Sequence, residues 1–306
     1  MTLNDYGNVW TSSLLYKSHG LPIRCLKKNN DTTSIEHIDI SSIETANCYI
    51  ISHIGSYKYK AVKGNSIEPV GNISSVEVLW ESFGTNITPN IGDLISDVSY
   101  SDGYIQFSTS SVFKEGNAVI AAKDASGTIL WSWHIWMTDQ PEDQIYTNNA
   151  GTMMDRNLGA TSATPGDIGA LGLLYQWGRK DPFIGSSSIE NSIEAKSTIT
   201  WPSPIESSTS SGTITYATKN PTTFITSNDL NYDWYYTGDS NTDNLRWQSE
   251  KTIHDPCPSG WRVPDGGSNS IWAKACGYSA GGHEYTYDST NEGIYFYDEF
   301  GNASAI

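Results

Sequence analysis

Between residues 46 and 138 short apolar runs alternate with turn signals, a rhythm that leaves little room for anything but β-structure. The runs are Cys48–Ser52, Tyr57–Val62, Ser75–Glu81, Leu94–Tyr100, Tyr104–Thr109, Ala118–Ala122 and Thr128–Trp136. In the last of them Ile129, Trp131, Trp133 and Ile135 alternate with Leu130, Ser132 and His134, and a period of two puts the four large apolar groups on one face. Ser101-Asp102-Gly103 and Asp124-Ala125-Ser126-Gly127 read as tight turns, with Gly103 free to take a positive φ. Seven short strands at this spacing, with no helix among them, predict an immunoglobulin-like β-sandwich over 46–138.

The chain has 306 residues, room for about two domains. Asp139-Gln140-Pro141-Glu142-Asp143 is polar and marks a boundary, after which the texture changes. Asp167 is placed to cap a helix in which Ile168, Leu171, Leu174 and Tyr175 recur at helical spacing and Gly178 ends the pattern. A second short helix is predicted over 269–276, capped by a serine and ended by Gly277. Between them the Ser/Thr/Asn/Pro-rich stretch 185–245 reads as a long structureless insertion, of a kind that is functional or mobile. Upstream, residues 1–26 hold two short strands, near Val9–Leu15 and Leu21–Cys25, and 27–45 is a polar linker. The expected class is mainly β with a small α+β domain over 139–306.

Asp and Glu exceed Lys and Arg by 34 to 18, giving a net charge of −16. That balance opposes nucleic-acid binding, whose affinity comes from cations displacing phosphate counterions, and it disfavours anionic lipid surfaces. No apolar run approaches the ~20 residues of a membrane-spanning helix, so insertion of this segment is not expected. Met1-Thr2-Leu3-Asn4-Asp5 has neither the basic nor the apolar region of an export signal. The four cysteines, Cys25, Cys48, Cys257 and Cys276, form no C-x-x-C pair, and the sequence leaves their three complete pairings open.

No nucleophile, metalloprotease or phosphate-loop motif occurs, and no carboxylate spacing singles out an acid/base pair, so the chain reads as a binding protein and not an enzyme. Arg156, Arg179, Lys180 and Asp181 sit among aromatics and glycines; a ligand-binding or catalytic charge cluster is one reading, and hydrogen bonding to buried loop backbone is the expected one. Asp239, Asn241, Asp243 and Glu250 fall at positions 1, 3, 5 and 12 of a calcium loop, though Asn244 stands where that loop has glycine. Calcium held there and a solvated acidic loop are the two readings. Trp234, Tyr235 and Tyr236 stack on a sugar ring if exposed, or pack the domain's edge if not.

Three segments, in order, carry a resemblance: Met154-Asp155-Arg156-Asn157-Leu158-Gly159-Ala160, Leu174-Tyr175-Gln176-Trp177-Gly178-Arg179-Lys180-Asp181-Pro182-Phe183, and Asp255-Pro256-Cys257-Pro258-Ser259-Gly260-Trp261-Arg262-Val263-Pro264. Together they resemble the fibrobacter-type major paralogous domain of fimbrillin-like surface proteins in gut Bacteroidetes, which is similar to C-type lectin-like domains. The resemblance covers about 145–306 and implies an extracellular, cell-surface location. It also implies adhesion to a glycan or to a host or bacterial surface protein. A spacer without its own ligand, in a repetitive surface protein, is the alternative. Trp10-Thr11-Ser12-Ser13 and Pro22-Ile23-Arg24-Cys25 resemble the family's closing segment, here at the start of the chain. The C-terminal copy is therefore expected to lack its own closing strands. The resemblance implies that Cys257 pairs with a closing-strand cysteine, here Cys25, if the N-terminal segment folds back.

Overall fold

The computed structural model describes residues 39–188, 193–227, 232–239, 245–267 and 270–275, with the backbones of short strands at 21–22, 26–27, 285–288, 293–297 and 303–305. The expected strand near Val9–Leu15 lies outside the described residues, as do Cys25, Asn241, Asp243 and Cys276. Two short strands come first, β1 (Leu21–Pro22) and β2 (Leu26–Lys27). All seven runs between 46 and 138 form strands: β3 (Cys48–Ile51), β4 (Ser56–Lys60), β5 (Ser75–Ser82), β6 (Ile95–Ser101), β7 (Tyr104–Thr109), β8 (Gly116–Lys123) and β9 (Ile129–Met137).

Four of these pair in the order β3-β9-β8-β5 and three in the order β4-β7-β6. The first and last strands, β3 and β9, run parallel, and the other pairings are antiparallel. Asp102 and Gly103, both at positive φ (53° and 81°), make the two-residue turn between β6 and β7. Such a turn matches the twist of the strands it joins. Between the two sheets lies an apolar core in which Tyr59, Phe107, Trp133 and Ile135 are buried, with the Tyr59 ring 4.7 Å from Tyr49 and 5.5 Å from Trp133. The expected linker is not free to its end: Ile40 donates its amide to the Lys58 carbonyl, and the Ser41 hydroxyl accepts the Lys60 amide.

The alternation in β9 is interrupted once. The pairing with β8 slips between Ala122↔Trp131 and Lys123↔Ile129, so Leu130 joins Trp131, Trp133, Ile135 and Met137 against the sandwich core in the place expected for Ile129. The opposite face of β9 is not solvated. Ser132, His134 and Trp136 are buried there against the part of the chain beyond residue 139.

That second unit is built on β10 (Asp143–Tyr146), β11 (Gly151–Met154), β12 (Leu174–Tyr175), β13 (Ile205–Glu206), helix α1 (Ile214–Lys219), β14 (Ile225–Thr226), β15 (Trp261–Arg262) and helix α2 (Ile271–Ala275). The strands at Tyr285–Asp288, Gly293–Tyr297 and Ala303–Ala305 pair in a sheet of their own. The helix expected from Asp167 is a single 3-10 turn, Ile168–Ala170. Asp167 does cap it, accepting the Gly169 amide at 2.9 Å. Gly172 then turns to φ 69°, and Leu174 exchanges two backbone hydrogen bonds with Phe183 instead of continuing the helix. The second helix forms where expected, with the Ser270 hydroxyl accepting the Ala273 amide. The stretch 185–245 carries structure after all: β13 and β14 pair in parallel around α1 over a small core of Ala217, Ile225 and Trp234.

β1 and β2 belong to this second unit, not to the sandwich that comes after them in sequence. β1 pairs with β12, and β2 lies between β11 and β15 in a sheet of order β10-β11-β2-β15.

Candidate functional site

The residues singled out for binding lie on the segment 232–239, which closes the α1 region of the second unit. Its base is an ion pair shut away from water. An Arg246 terminal nitrogen donates to the Asp233 carboxylate at 2.6 Å, and both side chains are at most 1% exposed. The other terminal nitrogen of Arg246 donates to the Trp177 carbonyl at 3.0 Å. The Arg246 guanidinium also lies 4.6 Å from the Trp234 ring centre and 5.1 Å from that of Tyr235. A desolvated guanidinium over an aromatic face is worth about 2 kcal/mol or more.

Trp234 is therefore a core residue. Its ring is 1% exposed, its Nε1–H donates to the Trp177 carbonyl at 2.7 Å, and Arg179 approaches it at 5.7 Å besides Arg246. The stacking role considered for it fails, because no part of the ring is left for a ligand. Tyr235 and Tyr236 are half-buried. Tyr235 stands edge-on to Trp234, the planes at 90°, and Tyr236 donates its amide to the Gly212 carbonyl. Tyr232, which the sequence did not mark, is 50% exposed and holds φ at 55°, a conformation uncommon for a bulky side chain. Three tyrosines thus reach the surface of a loop whose floor is fixed.

The two described ends of the expected calcium loop, Asp239 and Glu250, are both exposed. Among the described residues no three His, Cys, Asp or Glu side chains converge, so those residues by themselves build no calcium site.

Arg179 bonds buried loop backbone as expected. It reaches the carbonyls of Thr223, Asn220 and Ala217, tying the end of α1 to the 176–179 segment. Burial pulls its guanidinium down to about 10, so it stays charged at neutral pH. Arg156 differs: it pairs with the carboxylates of Asp155 and Asp139 and donates to the Thr138 hydroxyl. Lys180 and Asp181 turn toward the sandwich. The Lys180 ammonium donates to the Ser132 hydroxyl at 2.6 Å and to Asp181 at 2.6 Å, and that hydroxyl donates to Asp181 at 2.5 Å. A serine beside a lysine has the parts of an amine-activated nucleophile. All three residues are under 5% exposed, so the trio works as a strut between β9 and the second unit.

Cys257 is disulfide-bonded and Cys48 is a buried free thiol, while Cys25, the expected partner of Cys257, lies outside the described residues. Asp255 holds the Cys257 region in shape, its carboxylate accepting the amides of Cys257 at 2.8 Å and Val263 at 2.9 Å. No protein-family model, curated protein or solved structure matches this chain.

Proposed function

We propose that this chain is an extracellular adhesion module that binds a glycan, or a surface protein, through the tyrosines of segment 232–239. The observation that carries the reading is the anchored loop: Tyr232, Tyr235 and Tyr236 sit at the surface over the buried Asp233–Arg246 pair, so little ordering is needed when a ligand arrives. Aromatic rings on a rigid floor give contact area at low entropic cost. The disulfide at Cys257 supports an oxidising, exported setting. The strand order β3-β9-β8-β5 against β4-β7-β6, with the first strand parallel to the last, supports an immunoglobulin-like sandwich. The second unit's motifs support a lectin-like partner for it. Nothing in the loop points to a reaction, and binding is the role it fits.

The test is a glycan array with subsequent titration, run in calcium and in chelator. Wild-type protein is compared with Tyr235→Ala and Tyr236→Ala. Binding that falls at least ten-fold in both variants, with unchanged thermal midpoint, is the expected result. Binding unaffected by either substitution moves the site elsewhere. No binding to any glycan or surface protein favours the spacer reading, to which the buried strut between the units also lends itself.

A further inference from the structure

The strands β1 and β2 close two sheets of a unit from which the whole sandwich separates them in sequence. Leu21 and Pro22 pair with Tyr175 and Leu174. Leu26 pairs with Met153 on one side and Arg262 on the other, and Lys27 with Trp261. β2 is thus an interior strand held by few residues, and its removal would bare two strand edges at once.

The walls of this slot are held without it. β11 pairs with β10 over four residues, Asp143↔Met154 to Tyr146↔Gly151. β15 comes after a loop gathered around the buried Lys251 ammonium, which donates to the carbonyls of Cys257, Pro258 and Trp261 at 2.6–2.8 Å. Asp255 fixes the Val263 amide just beyond it. Both walls are thus fastened by contacts that do not involve β2. The strand known to fit is this chain's own.

We propose that the cleft between β11 and β15 is an acceptor for the β2 strand of a second copy of this chain, so that copies join head to tail by exchanging this strand. The same backbone bonds form within one chain or between two, and only connectivity separates the two arrangements. A short tether gives the internal strand an effective concentration of ~1 mM, so exchange appears when copies are crowded or refold together.

The test uses the full chain. Heavy- and light-isotope preparations are mixed, unfolded and refolded at high concentration, all in reductant so that the disulfide at Cys257 ties no segment to its own chain, and weighed by native mass spectrometry. Mixed dimers and longer species are expected from wild type. Leu26→Pro, which removes a backbone donor from an interior strand, should not form them. Leu26→Pro should instead bind a labelled peptide of residues 18–30, carrying Cys25→Ser, saturably and at least ten-fold more tightly than wild type, whose slot is filled. Absence of mixed species from wild type at every concentration overturns the proposal. So do mixed species that persist in Leu26→Pro, which place the joint on another surface. If Leu26→Pro fails to fold, the wild-type exchange alone decides.

Discussion

His134 stands in the middle of β9 with the Tyr175 hydroxyl 3.3 Å from Nδ1 and the Asn117 side-chain oxygen 2.8 Å from Nε2. The Asn117 side-chain amide donates to the Gly159 carbonyl, so its oxygen accepts, Nε2 carries the proton, and Nδ1 accepts from Tyr175. Burial pulls this imidazole down to about 3 from its ordinary 6.5. Between those values the unfolded chain binds a proton that the folded chain refuses, so stability rises with pH across the window and is lost as pH falls through it. Glu81 and Asp255, whose carboxyls burial pushes up, slope the opposite way at its acid end. The measurement is therefore a difference: urea midpoints of wild type and His134→Gln from pH 7 to 4, with the variant expected to lose less stability on acidification. Parallel curves would remove His134 from the account. Asp233 gives a second residue-scale test. Asp233→Ala removes a buried carboxylate from the Arg246 guanidinium and should cost about 3–5 kcal/mol in a denaturant titration. Neither role was legible in the sequence. A histidine in an alternating strand reads as a solvent-face residue, and the partners that bury it come from Asn117 and Tyr175, on other elements.

At the scale of elements, the sandwich was readable because each strand announces itself locally, by alternation and by turn chemistry such as Asp102-Gly103. The 3-10 turn after Asp167 shows where local signals stop. Its cap was visible, but the apolar spacing continued past Gly172, and only the pairing of Leu174 with Phe183 decides that the chain extends there. Within 185–245 the core residues Ala217, Ile225 and Trp234 are too widely spaced to show a period, and Arg179 and Arg246 seal them from two other segments. The β5–β6 connection offers a prediction. The buried Glu81 carboxylate accepts the amides of Gly92, Leu94 and Ile95 at 2.7, 3.1 and 2.9 Å, folding that loop onto the strand. Glu81→Ala strands those donors and should cost about 3 kcal/mol, while Glu81→Gln, which keeps an acceptor, should cost less. Equal losses in the two variants would mean that packing, not acceptance, is what Glu81 provides.

Over the whole molecule the sheet β3-β9-β8-β5 is buried on both faces, by the sandwich core on one side and by the second unit on the other. The sequence reads as two domains on a string because Ser132 and His134 look like a wetted face. They are polar and dry, satisfied by Asp181, Lys180, Asn117 and Tyr175. Gly64, at φ 52°, continues the same contact, since a Cβ there would lie 2.5 Å from the Ile253 carbonyl oxygen. Calorimetry should accordingly show one cooperative transition for the sandwich and the second unit. Two well-separated transitions would show that the shared face contributes little. The placement of β2 beside β15 has a further consequence. A pull applied at residue 21 and at residue 275 meets the β2 clasp before it meets any strand of the sandwich, and the 39–138 region hangs between two points already fastened to each other. Tension along the chain is carried past the sandwich until the clasp shears, and only then is the stored length of seven strands released.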